Sequence, residues 1–300
     1  MNAIEIPVSP VLFHIGNLEV RWYGAMMVLA IAVLILWAYM QIRRGAKITY
    51  DDMLGGAMVG IPSGMIFARL LHVFDGIDNI RRYFSDPISI IGGSGLTVYG
   101  AILGAALGVW IYSRFRKLNY AYLVDVITPG IIMAQAIGRV GCLFNGCCYG
   151  DAGSRFNIMY THPEAYELLN RVFQPTQVYE ILFLMALLVV IMLFRSKFKP
   201  AGVQFMFYLG TYSLWRIVIG FQRAEGTPFA FGLLQAQVIG IIAAIICFGG
   251  IIFLRYRMAK QAKASFTDAT PCAEGVGEET SVLQPATTSE QPENTWEEKA

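Results

Sequence analysis

Seven runs of roughly twenty apolar residues recur along the chain, each the length a helix needs to cross the hydrocarbon core of a bilayer. They fall at 22–41, 53–73, 95–113, 122–140, 176–194, 202–221 and 231–254. Backbone in lipid must satisfy its own hydrogen bonds, so such runs fold as helices. Hydrophobic residues make up 56% of the 300, and the mean hydropathy of +0.52 is too apolar for a water-soluble domain of this size. The expected fold is an all-α integral membrane protein with seven transmembrane helices.

The charges between the runs orient them. Arg43, Arg44 and Lys47 follow the first run; Arg114, Arg116 and Lys117 follow the third; Arg195, Lys197 and Lys199 follow the fifth; Arg255, Arg257, Lys260 and Lys263 follow the seventh. All four clusters fall on one side, which the positive-inside rule makes cytoplasmic. An odd number of spans then puts the N-terminus outside and the C-terminus inside. Beyond Ala264 the chain holds eight acids against Lys299, a net of −7, while the whole chain carries +2. Ser, Thr, Pro and Glu dominate there without periodicity, the composition of a disordered tail. Residues 1–263 are thus expected to form the membrane domain and 264–300 an acidic cytoplasmic tail.

Met1 to Glu19 has no Lys or Arg ahead of an apolar run, so no cleavable signal is expected. Residues 6–20 are broken by Pro7 and Pro10 and suit an interfacial segment. Gly56, Gly60 and Gly64 in the second run, and Gly100, Gly104 and Gly108 in the third, make small-residue faces that let helices approach closely, placing these two spans in the bundle interior. Two outer loops are long, Phe74 to Gly93 and Gly141 to Pro175. The second is expected to form a small extracytoplasmic head.

Polar residues inside apolar runs are costly and therefore informative. Asp125 and Gln135 lie in the fourth run with Arg139 at its outer end; Gln177 and Glu180 open the fifth; Tyr212 and Arg216 lie in the sixth, with Arg223 just beyond. Arg216 and Arg223 are seven apart and share a face if the helix continues that far. Convergent guanidinium groups suit a phosphate, which arginine grips through paired donors while staying charged. In a membrane this means a phospholipid head group. The plainer reading is that each arginine pairs with Glu180 or snorkels, as Arg69 is read to do.

Arg139 opens a glycine-rich stretch, Gly138 to Gly150, that also holds Cys142, Cys147 and Cys148. These thiols can pair in an oxidising compartment, bind a soft metal, react, or fill space as small apolar groups. No histidine falls in the stretch to complete a ligand set, so no metal and no cofactor is expected. Of the three histidines, His14, His72 and His162, none lies in a catalytic cluster in sequence.

Several of these motifs together resemble one family, the bacterial prolipoprotein diacylglyceryl transferases. Gly138 to Gly150 is similar to the family signature, with its Gly-Arg, Gly141, Asn145-Gly146 and Gly150. Arg21-Trp22-Tyr23-Gly24 is similar to the entry to the first span, and Gln174 through Glu180 to the opening of the fifth. Tyr212, Arg216 and Arg223 keep the spacing of the sixth, and Asp125 and Pro129 also fit.

The resemblance implies an enzyme of the bacterial inner membrane that moves a diacylglyceryl group from phosphatidylglycerol to the lipobox cysteine of a prolipoprotein, the first step of lipoprotein maturation. It implies that Arg139 holds the lipid phosphate, that Arg216 and Arg223 bind and activate the head group, and that Tyr23, Asn145, Gly146, Gln177, Glu180 and Tyr212 order the substrates. No nucleic acid is involved. The chain departs from the family pattern where Tyr99 stands at a position often held by histidine, where Cys142 and Cys147 replace a usual asparagine and glutamate, and where Gly220 replaces a glutamate. A phenol, which holds its proton to about pH 10, is a poor base at neutral pH, so the base is unassigned with Tyr99 at its position. The alternative is a catalytically degenerate membrane protein that binds or transports phospholipid.

Overall fold

The computed structural model describes residues 3–16, 18–73, 98–152, 156–222, 228–230 and 233–268. The outer loop from Phe74 to Gly93, Arg223 and the acidic tail beyond Asp268 lie outside the described residues, as do the side chains of His72 and Tyr99.

Seven helices stand among the described residues, one on each apolar run: α1 (Trp22–Arg43), α2 (Tyr50–Val73), α3 (Val98–Phe115), α4 (Tyr120–Asn145), α5 (Thr176–Leu193), α6 (Val203–Gly220) and α7 (Gln235–Asp268). Five have the length and apolarity to cross a membrane, over Trp22–Arg43, Tyr50–Leu70, Tyr120–Asn145, Thr176–Leu193 and Ala236–Lys263. The apolar part of α3, Gly100–Phe115, is shorter. Residues 1–258 make one compact unit; a second, 259–300, begins inside α7.

The helix ends follow local chemistry. Thr49 and Asp52 open α2 as a capping box: the Asp52 N–H donates to Thr49 Oγ1 at 3.1 Å and the Thr49 N–H to Asp52 Oδ2 at 3.3 Å. Asn119 caps α4 by accepting from the Tyr122 N–H. At the far end of α4, Gly146 adopts φ 68 and ψ 40, a left-handed conformation that stops the helix.

That stop lies later than the sequence suggests. The run ends near residue 140, yet α4 continues through Gly141 to Asn145. Gly141 serves packing rather than a turn: a Cβ there would come within 2.9 Å of Met26 on α1. Glycine inside a helix costs up to about 1 kcal/mol, which close packing offsets here.

The centre of the bundle is α4, which packs against α1, α5 and α6. Trp37 Nε1 of α1 donates to the Val126 carbonyl at 2.9 Å, and Ile132 and Ala136 meet Leu184, Leu187, Ile191 and Tyr208 in the main core. The second and third spans, expected in the interior, instead pack on one another. Gly100 and Gly104 of α3 approach Phe67 and Ser63 of α2 so closely that a Cβ would overlap them. The opposite faces of this pair stay exposed at Met58, Met65, Ile66 and Ile102. The glycine faces therefore mark one helix pair, while the buried centre belongs to a helix rich in β-branched and polar residues.

The basic connections meet at one end of the bundle. Arg116 pairs with Asp52 at 3.1 Å, Arg195 Nη2 donates to Gln41 Oε1 at 3.0 Å, and the Lys47 N–H donates to the Tyr122 hydroxyl. Asp125 accepts from the N–H groups of Gly202 and Phe205 at 2.6 and 2.8 Å and so caps α6.

Strands lie before α1 and between α4 and α5, and the segment expected at the interface over 6–20 takes strand structure in part. β1 (Ala3–Ile6) runs parallel to β4 (Asn157–Tyr160), which pairs antiparallel with β5 (Val172–Phe173). β2 (Val11–Ile15) and β3 (Leu18–Arg21) form a hairpin into α1, and β6 (Pro228–Ala230) pairs with β7 (Leu233–Leu234) before α7. Ile158, Tyr160, Ala165 and Phe173 make a small second core, joined to α4 where the Tyr160 hydroxyl donates to the Leu143 carbonyl at 2.7 Å. Burial holds the proton on that phenol, raising its pKa above the usual tyrosine value.

Candidate active site

Helical spacing sets out three facing rows of polar side chains. Gln135 and Arg139 are four apart on α4, Gln177 and Glu180 three apart on α5, and Tyr208, Tyr212 and Arg216 four apart on α6, so each row lies on one face. Where the three helices meet, Arg139 Nη2 reaches Glu180 Oε1 at 2.8 Å and donates to the Tyr212 hydroxyl at 3.2 Å. The Tyr212 hydroxyl donates to Glu180 Oε1 at 2.7 Å. Arg216 Nη1 approaches the same oxygen at 3.7 Å, beyond hydrogen-bond range. Below them the Tyr208 hydroxyl donates to Gln135 Oε1 at 2.7 Å, which orients the ring beside Tyr212. Tyr208 was missed in the sequence, although its four-residue step to Tyr212 was a signal.

The charge at this junction does not cancel. Two guanidinium groups face one carboxylate, Glu180 is 3% exposed, and Arg139 and Arg216 are 15% and 16% exposed. Arg216 Nη1 is buried and finds no hydrogen bond among the described residues. A buried donor left unsatisfied costs about 1–3 kcal/mol, more when charged. Pairing with Glu180 alone therefore leaves one positive charge over among the described residues.

The other candidate residues gather one to two turns further along α4. Gln177 Nε2 donates to the Cys147 carbonyl at 2.7 Å and Thr176 Oγ1 to the Cys148 carbonyl at 2.6 Å, while Gly150 and Gln174 exchange backbone hydrogen bonds. The Gln174 to Gln177 segment therefore clamps the loop after Gly146 onto the start of α5. A Cβ at Gly150 would stand 2.5 Å from the Gln222 carbonyl, so only glycine fits there. Tyr23, in the first turn of α1, lies against Gly141, and its hydroxyl is within electrostatic reach of Arg139 and all three thiols. Asn145 Oδ1 and Gln177 Oε1 are buried without hydrogen-bond partners among the described residues.

A sequence model described as prolipoprotein diacylglyceryl transferase matches residues 10–254. The chain belongs to that family. It is similar to the phosphatidylglycerol–prolipoprotein diacylglyceryl transferase of Dehalococcoides mccartyi, 47% identical over 261 residues that cover 87% of this chain and 98% of the relative. A relative of the same name from Clostridium botulinum is 30% identical over 259 residues, 85% of this chain and 99% of its own. With its apolar helices, membership makes this a multi-pass membrane protein.

Three placements follow from how α6 begins, ends and packs. Helix α6 stops at Gly220 with Phe221 as its cap, and Arg223 lies outside the described residues. Gly220 itself is occupied from outside: a Cβ there would meet Gln237 of α7 at 2.8 Å, and Gln237 is held by hydrogen bonds to Leu234 and Ile217. A glutamate at 220 would collide with it. Asp125, far along α4 from Arg139, caps α6.

Proposed function

We propose that this protein transfers the diacylglyceryl group of phosphatidylglycerol to the lipobox cysteine of a prolipoprotein and releases glycerol phosphate. The observation that carries the reading is the surplus charge at the α4, α5 and α6 junction, with a buried Arg216 donor that an anionic phosphodiester fills. Names of the relatives supply the donor and acceptor classes.

In this reaction a cysteine thiolate attacks the glyceryl carbon, an S–C bond forms, and the C–O bond to phosphate breaks. The departing glycerol phosphate gains negative charge as it leaves. Arg139 and Arg216, with Arg223, hold that charge without transferring a proton, the preorganised electrostatic stabilisation that contributes most to such steps. Glu180 and Tyr212 fix the two guanidinium groups. Asn145, Gly146, Gln177 and Tyr23 line the approach of the peptide.

All seven helices cross the inner membrane of a bacterium in this reading, with the N-terminus, the β1-β4-β5 sheet and the arginine cluster at the outer face. The acidic tail follows α7 into the cytoplasm. Support comes from the four basic clusters, three of which are tied together by the contacts around Asp52, Gln41 and Tyr122.

The test is transfer itself, in membranes holding the protein, phosphatidylglycerol labelled in its acyl chains, and a lipobox peptide. Label is expected on the peptide cysteine. If a conventional family member labels the peptide in parallel while this protein does not, the degenerate lipid-binding reading replaces the transferase.

A further inference from the structure

Three thiols remain that the transfer chemistry above does not use. Cys142 lies in the last turn of α4; after the left-handed Gly146 the chain turns back, and the Cys147 N–H donates to the Cys142 carbonyl at 3.1 Å. Cys148 then takes φ 65, a conformation that costs a non-glycine residue on the order of 1 kcal/mol. These two left-handed residues fold the loop so that the sulfurs of Cys142, Cys147 and Cys148 all lie within 4.8 Å of one another. From the other side, Gln177 and Thr176 hold the carbonyls of Cys147 and Cys148, so the backbone is pinned to α5. The Cys147 thiol contacts the Cys142 carbonyl at 3.7 Å, and all three remain thiols.

A disulfide accounts for two sulfurs and leaves the third without a reason to converge. A thiophilic cation accounts for all three. Zinc–thiolate bonds of about 2.3 Å set tetrahedral sulfurs roughly 3.8 Å apart, a small rotation of side chains from the observed spread. The sequence argued against a metal because the stretch lacks a fourth ligand, and among the described residues no further histidine, cysteine or carboxylate joins the group. Three protein ligands with one open position are, however, the form of a site that takes substrate.

Location says which substrate. The cluster lies within electrostatic reach of Arg139, three residues before Cys142, and of Tyr23. Two buried acceptors, Asn145 Oδ1 on the last residue of α4 and Gln177 Oε1 on the residue that clamps the loop, are unfilled by described residues and suited to the N–H groups of a peptide. The carboxylate of Glu180 is already engaged by Arg139 and Tyr212. A metal ionises a bound thiol without any base.

We propose that Cys142, Cys147 and Cys148 form a three-thiolate site for a divalent d10 cation of the zinc class, whose fourth position receives the substrate cysteine. The metal half of this inference stands alone; the substrate half rests on the transferase reading. On loading, the three thiols release three protons and the site carries one negative charge. The substrate thiol adds as fourth ligand and releases one more proton. A lone pair on that sulfur forms the S–C bond as the C–O bond breaks, and the bonding pair leaves with the phosphate oxygen. The neutral thioether is a weak ligand and departs, restoring the three-thiolate site with no net oxidation or reduction.

Full-length protein in detergent, titrated with Co(II) and Zn(II), tests both halves. One metal per chain is expected, with thiolate-to-cobalt charge-transfer absorption that disappears when all three cysteines are changed to serine. In the unaltered protein, Zn(II) is expected to protect three thiols from maleimide, counted by mass, so the result does not depend on a variant folding. A lipobox peptide is expected to raise the sulfur coordination from three to four by X-ray absorption, and its serine counterpart is not. No metal, or no thiol protection, overturns the proposal; metal without a response to the peptide overturns its substrate half. Removal of metal is expected to lower transfer at least about tenfold, with recovery on Zn(II). Undiminished transfer by metal-free protein also overturns the substrate half. If metal and peptide both bind but no label moves, the transferase reading fails while the metal site stands.

Discussion

The two ends of α4 each bury an ionisable side chain against neighbouring helices, and they treat it in opposite ways. At the basic end, Asp125 accepts two backbone N–H groups of α6, and its own carbonyl accepts from Gln204 Nε2 at 2.7 Å. That carbonyl is available because Pro129, four residues on, has no N–H to offer it. Both carboxylate oxygens of Asp125 and its carbonyl have partners from the chain itself. At the other end, Arg139 and Arg216 share the single carboxylate of Glu180, and Arg216 Nη1 has no hydrogen bond among the described residues. Satisfied polar groups join helices, and unsatisfied ones wait for something. Burial and charge alone, which both ends share, do not separate structure from chemistry.

The strongest way to break this contrast is Arg139→Ala. Transfer per folded molecule is expected to fall by about 10²–10³, the loss typical of removing one preorganised donor to developing charge. Retained transfer in the labelled-lipid assay would make the surplus charge irrelevant. Tyr212→Phe removes one hydrogen bond to Glu180 and one acceptor for Arg139, and transfer is expected to fall about tenfold, corresponding to a charged hydrogen bond of about 1.5 kcal/mol.

At the basic end the expectation inverts. Asp125→Asn weakens the cap of α6 and is expected to cost about 1–3 kcal/mol of stability, read as a lowered melting temperature in detergent, while transfer per folded molecule stays within about twofold. Loss of transfer at an unchanged melting temperature would show Asp125 to act in the reaction after all. Smallest is Gln204→Leu, which frees the Asp125 carbonyl again. About 1 kcal/mol is expected, the usual value of one hydrogen bond between membrane helices, with transfer unaffected.

Much of this architecture was legible along the chain. Each apolar run became a helix because length and hydropathy are summed over neighbours in sequence, and the backbone in lipid has few alternatives. The arginines were legible for the same reason, as costly exceptions in apolar surroundings. Glycine was the misleading signal. Gly138 has open space where a Cβ would be, Gly141 packs inside a helix, Gly146 ends it, and Gly150 meets backbone, four roles that one residue type in one stretch does not distinguish. The sheet was invisible because β1 and β4 are four residues each and pair across some 150 positions. Helix α6 ends where its apolar run does, but nothing in the hydropathy announced the approach of Gln237 at Gly220.

By itself, then, the sequence determined that the chain enters a membrane repeatedly and which polar residues the apolar runs must accommodate. These are sums and exceptions along the chain, and they need no partner to be read. Only the tertiary structure decided that Arg139 and Arg216 compete for Glu180, that Asp125 is fully met, and that three sulfurs converge behind Gly146. Such outcomes depend on distances between helices remote in sequence, and a buried charge is balanced or left over according to those distances alone.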